Sequence, residues 1–130
     1  VSGRLANGAI VSVQVAHMPY AGSAYRLEIY GSKGTLVLAG ADSPQMASLK
    51  LSGAQGNNTL QPLTPPAQFT LVPPEAPRGL PFNVGQLYRV FAEAIRSGKN
   101  IAPDFDTAVS MHRLIDALRE SSKSGTRVML

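Results

Sequence analysis

The chain has 130 residues, room for one domain that buries roughly two thirds of its extended surface, and 44% of its residues are hydrophobic. It contains no cysteine, which excludes disulfides, thiolate catalysis and thiolate metal sites. Its net charge of +4 comes from basic residues spread singly, such as Arg4, Arg26, Lys50, Arg78, Arg96 and Arg127, and not from the basic patch interleaved with aromatics that marks nucleic-acid binders. No apolar run approaches the ~18–20 residues of a membrane helix, so neither nucleic acid nor membrane is an expected partner. His17 and His112 lie far apart without the acidic or histidine neighbours of a metal helix, and no metal site is expected. The chain opens on Val1 without a basic-then-apolar leader; it reads as a segment cut from a longer, cytoplasmic protein whose leader, if any, is lost.

In chain order, Arg4-Leu5-Ala6, Asn7-Gly8 and the run from Ala9 to Ala16 predict a hairpin, with Asn-Gly suited to a two-residue type I′ turn. Val11, Val13 and Val15 share one face of the longer strand, and Ser12, Gln14 and Ala16 share the other with Ile10. Tyr25 to Tyr30 repeats the alternation: Tyr25, Leu27 and Ile29 point one way, Arg26, Glu28 and Tyr30 the other. Gly31-Ser32-Lys33-Gly34 supplies a turn into a strand at Thr35–Leu38, and a weaker strand is expected over Ser48–Ser52.

Seven of the ten prolines fall between Pro62 and Pro81, so this stretch is read as loop with short edge strands near Leu60–Leu63 and Phe69–Val72. Asn83 then looks like an N-cap, with Gln86 three residues on and Phe82 poised to staple onto Leu87. Val84, Leu87, Tyr88, Phe91, Ala92 and Ile95 form an apolar stripe, and Gly98 ends the helix. A second helix starts at Asp104, buries Ala108, Met111, Leu114, Ile115 and Leu118, and stops at Gly125 before a closing strand at Thr126–Leu130. No internal repeat or domain boundary is evident.

Strands followed by helices predict an α+β fold, a largely antiparallel open-faced β-sheet with helices packed on one face. The face carrying Ser12, Gln14, Ala16, Arg26, Glu28 and Tyr30 is then left over, for water or for another subunit.

Three stretches together resemble the C-terminal domain of the glucose–fructose oxidoreductase / inositol dehydrogenase / rhizopine-catabolism (Gfo/Idh/MocA) family. They are Leu5-Ala6-Asn7-Gly8-Ala9 with its valine-rich strand, Leu27-Glu28-Ile29-Tyr30-Gly31-Ser32-Lys33-Gly34-Thr35-Leu36, and the tail in which Phe91, Ala94-Ile95 and Gly98 precede Pro103, Ser121-Ser122 and Gly125 to Val128. The resemblance runs from about Gly3 through Leu130. It implies a parent enzyme with an N-terminal Rossmann domain, absent from this chain, that binds NAD or NADP. It also implies a C-terminal sheet that shapes the substrate cleft and pairs subunits into a homo-oligomer.

The family's Glu-Lys-Pro motif and its Asp-x-x-x-His pair do not occur, and no G-x-G-x-x-G opens a helix. No catalytic or cofactor-binding residue therefore carries over, and the segment alone is expected to be inactive and to bind no cofactor. The expected role is the substrate-cleft and oligomerisation domain of an NAD(P)-dependent oxidoreductase acting on a sugar, polyol or related hydroxy compound. The alternative is a free-standing oligomeric interaction or small-ligand module.

His17 and Tyr20, at a strand end before a glycine-containing loop, are the substrate-facing candidates; the plainer reading is a strand-end histidine and a tyrosine capping the core edge. Gln14, Arg26, Glu28 and Tyr30 are the interface candidates, with a solvated sheet face as the other reading. His112 near Asp116 reads as a solvated pair. Ser121-Ser122-Lys123-Ser124-Gly125 lies at the wrong end of its helix dipole to hold a phosphate and reads as helix termination.

Overall fold

The computed structural model describes residues 1–16, 21, 24–46 and 48–130. Its elements are β1 (Ser2–Arg4), β2 (Ile10–Ser12), β3 (Tyr25–Gly31), β4 (Gly34–Gly40), β5 (Lys50–Gln55), β6 (Gln61–Leu63), α1 (Leu80–Ser97) and α2 (Phe105–Ser124), with a 3-10 turn at Ala67–Phe69. The chain divides into two compact units, Val1–Pro19 with Asn100–Leu130, and Tyr20–Lys99. The fold class is α+β, with open, wholly antiparallel sheets of two and four strands, as the strand-then-helix pattern predicts.

In the first unit β1 pairs with β2 through Ser2↔Ser12, Gly3↔Val11 and Arg4↔Ile10. The reversal differs from the expected two-residue turn. Gly8 N–H donates to Leu5 O at 2.9 Å and Leu5 N–H to Ala9 O at 2.8 Å, which closes a three-residue loop. Gly8 alone there has positive φ, at 90°, and Asn7 Oδ1 accepts from Ala9 N–H at 3.1 Å instead. The ladder closes at the Val1–Val13 pair, where Val13 N–H donates to Val1 O and the Val1 amino group donates to Val13 O, each at 2.8 Å. β2 therefore ends at Ser12 and does not reach Ala16, so Gln14 lies on no strand.

Asp104 caps α2 as expected: its carboxylate accepts from Thr107 N–H at 2.8 Å and from the Thr107 hydroxyl at 2.7 Å. Gly125, at φ 67°, ends the helix and donates to Ser121 O at 3.0 Å. The anticipated strand at Thr126–Leu130 does not form. Thr126 O accepts from Ser121 Oγ at 2.7 Å and its hydroxyl meets Ser124 Oγ at 2.8 Å, so the tail folds back on the helix end. The expected burial on α2 is also only partial: Leu114 and Leu118 are half-buried, whereas Ala108, Met111 and Ile115 are exposed.

In the second unit the strands run β3-β4-β5-β6. Alternation sets the faces and the register keeps them aligned. Leu27↔Leu38, Leu38↔Leu51 and Leu51↔Leu63 draw a leucine line across all four strands, flanked by Ile29↔Leu36 and Leu36↔Gly53. The opposite face carries Arg26, Glu28 and Tyr30 beside Ala39, Val37 and Thr35. Val37 is the buried apolar side chain among the described residues, and it sits on this mixed face. Within the unit the leucine face, expected beneath helices, is open too: Leu27, Ile29, Leu36 and Leu63 are all exposed.

Two glycines make the ladder possible. A Cβ on Gly34 would overlap the Ala54 carbonyl oxygen, and one on Gly53 would lie 2.6 Å from Leu63 Cδ1. The expected strand over Ser48–Ser52 is shifted toward the C-terminus by this pairing, to Lys50–Gln55.

The region from Phe69 to Val72 is not an edge strand. Ala67–Phe69 forms a 3-10 turn, and the Leu71 and Val72 N–H groups go to the Gln86 side chain, not to a neighbouring strand. α1 begins upstream of the expected cap, because Pro81 is preorganised for a first helical turn and Gly79, at φ 85°, turns the chain into it. Asn83 N–H already donates to Gly79 O at 3.1 Å, so Asn83 is inside the helix and does not cap it. Its side chain donates instead to Gln45 O at 3.1 Å. Gly98, at φ 64°, closes α1 as predicted.

Candidate functional site

Residues at i, i+2 and i+4 of a strand share one face, which places Arg26, Glu28 and Tyr30 in a row along β3. Their side chains interlock. Arg26 Nε donates to Glu28 Oε1 at 2.8 Å, its Nη2 forms an ion pair with the same oxygen, and the Tyr30 hydroxyl donates to Glu28 Oε2 at 2.7 Å. Both carboxylate oxygens are thus engaged.

The Tyr30 hydrogen bond, followed by the Arg26 bond, holds the Glu28 carboxyl below its ordinary range. The same bond pushes the Tyr30 phenol up, because ionising it would place two anions side by side. Near neutral pH Glu28 is therefore ionised and Tyr30 protonated. The row is well exposed, with Tyr30 at 74%, and β3 is an outer strand of its sheet.

The leucine face of the same sheet holds an open trough of about 760 Å³. Apolar Ile29, Leu36 and Leu63 and polar Lys33, Asn58 and Gln61 are among the residues that line it. Gly53 creates the hollow, since any side chain there would meet Leu63 and Leu36. The sequence places Gly53 just past the weak strand expected over Ser48–Ser52; its meaning depends on a register that no local pattern supplies.

Of the other candidates, His17 and Tyr20 lie outside the described residues. Gln14 is exposed on coil and belongs to the other compact unit from Arg26, Glu28 and Tyr30. His112 is exposed on α2, and Asp116 pairs one turn onward with Arg119, at 3.3 Å. The Ser121–Gly125 stretch terminates its helix.

Gly31-Ser32-Lys33-Gly34 joins β3 to β4, with Gly31 opposite Gly34. A diphosphate cradle of the dinucleotide type needs a glycine turn that opens a helix, so this turn does not fit one. Among the described residues no three histidine or acidic side chains are grouped as metal ligands, and no helix is long and apolar enough to cross a membrane.

One protein-family model, the C-terminal alpha/beta domain of an oxidoreductase family, matches residues 1–130. Searches of curated proteins and of solved structures returned no match.

Proposed function

We propose, from the premise that this chain belongs to the Gfo/Idh/MocA oxidoreductase family as its C-terminal α/β domain, that it shapes the substrate cleft and pairs subunits in an NAD(P)-dependent enzyme. The observation that carries this reading is the family match over the whole of residues 1–130. The substrate is a sugar, polyol or related hydroxy compound. The cofactor, when bound to a Rossmann domain that is not part of these residues, supplies the hydride acceptor or donor.

This chain's own residues then position and assemble. The Arg26–Glu28–Tyr30 row is a preformed set of hydrogen-bonding groups on an open sheet, suited to meeting a second subunit. Its carboxylate is already satisfied, so docking there leaves no unpaired charge behind. His17 or Tyr20 hydrogen-bonds a substrate hydroxyl in this reading, and Tyr20→Phe in the intact enzyme is expected to raise KM. The cytoplasm is the proposed compartment.

The coding sequence directly upstream tests the reading. An in-frame G-x-G-x-x-G followed by Glu-Lys-Pro supports it, and a start codon at or beside Val1 overturns it in favour of a free-standing module. Light scattering tests assembly: a dimer or larger species is expected, and monomer alone at high micromolar concentration contradicts the pairing role.

A further inference from the structure

α1 is docked by its less apolar side. Phe82, Asn83, Gln86 and Val90 recur at helical spacing and are half-buried, whereas Val84, Leu87, Tyr88, Phe91 and Ile95 on the other side are exposed. The docked side holds its surroundings by hydrogen bonds from two polar side chains one turn apart. Asn83 donates to Gln45 O, and Gln86 grips the segment Phe69–Val72.

The Gln86 grip uses the amide at both ends. Its oxygen accepts from Leu71 N–H at 2.6 Å and Val72 N–H at 3.1 Å, and its nitrogen donates to Phe69 O at 2.7 Å. A primary amide has the donor and acceptor geometry of a peptide group, so Gln86 stands in for the neighbouring strand that this segment lacks. Apolar burial contributes little here, since Phe69 is 62% and Leu71 43% exposed. Val72 seats on the helix over Gly85, where a Cβ would come within 2.9 Å of Val72 Cγ1. Pro65-Pro66 precede the segment and Pro73-Pro74 follow it, so the backbone N–H groups available to fix it lie chiefly within the gripped stretch.

We propose that Gln86 is the latch of a strap formed by Phe69–Val72, which opens locally and uncovers the Gly85–Gln86 flank of α1 while the four-stranded sheet stays paired. A strap hydrogen-bonded to its helix by one side chain and seated by one valine has a low opening free energy, whereas strands inside a ladder open only with their neighbours. Gln86→Ala removes all three bonds. Gln86→Glu keeps an acceptor for the two N–H groups and loses the donor to Phe69 O, and so covers the case in which the alanine variant fails to fold.

Amide hydrogen exchange on the full chain reads the latch residue by residue. Expected is protection at Leu71 and Val72 in the parent sequence, faster exchange by about tenfold or more in Gln86→Ala, a smaller acceleration in Gln86→Glu, and unchanged β4 amides. Absent protection in the parent sequence, unchanged strap exchange in the variants, or β4 amides accelerating by the same factor as the strap would each overturn the proposal.

Discussion

β4 and β5 face each other over six residue pairs and approach so closely at Gly34 that no side chain fits, while the strap at Phe69–Val72, in the same unit, is hydrogen-bonded to its helix through one glutamine. In the ladder each peptide group is fixed by another peptide group, and opening one pair loosens the next. In the strap Phe69 and Thr70 N–H close a local turn, while the Leu71 and Val72 N–H groups and the Phe69 carbonyl answer to a side chain that moves independently. The two regions lie within twenty residues of each other, and they differ in what must break before they open. A backbone ladder resists as a block, whereas a side-chain grip yields locally.

Substitution at the glycine turn attacks the ladder most severely. Gly34→Ala places a methyl on the Ala54 carbonyl and is expected to cost about 3 kcal/mol, toward the upper end for a single substitution. A fall in the urea midpoint with little change in slope would show this, and an unchanged midpoint would mean the two strands are not in the register described.

The start of α2 is another side-chain grip, and it titrates. Thr107 N–H, then the Thr107 hydroxyl, hold the Asp104 carboxyl below its ordinary value. A carboxyl depressed in the folded state stabilises at pH above its unfolded value, and that stabilisation is lost as pH falls through the depressed value. Protection of the Thr107 amide should therefore decline in acid, below the usual carboxylate range. Asp104→Asn retains a capping oxygen that does not titrate, so its profile should be flat in that window.

The smallest effect is expected on the exposed row of β3. In Glu28→Gln the phenol of Tyr30 loses its anionic partner, and its raised pKa should return toward the ordinary tyrosine value in an NMR titration. Thermal stability should hardly change, because exposed ion pairs contribute little. A large drop in melting temperature would mean that the row supports the ladder instead of standing on it.

What the sequence revealed follows the same division. β3 and its turn were legible because alternation and glycines are local signals, and the faces of Arg26, Glu28 and Tyr30 followed from period two. Both ends of α2 were legible for a like reason, since Asp104 and Gly125 act on backbone within a few residues. Gln86 was misread: Asn83-x-x-Gln86 has the spacing of a capping box, but Pro81 starts the helix earlier and frees both side chains for loops far away in sequence. The trough was invisible because Gly53 matters only against Leu36 and Leu63, and the tail beyond Gly125 has strand composition but no strand beside it among the described residues. The bonds within the Arg26–Glu28–Tyr30 row depend on rotamers that no pattern encodes.

A calorimetric titration of NADH and of NADPH into the 130-residue chain tests most directly the claim that this domain serves an oxidoreductase without holding its cofactor. No saturable heat is predicted for either nucleotide. Saturable binding in the micromolar range would place a nucleotide site on these residues and contradict the division of labour proposed for them.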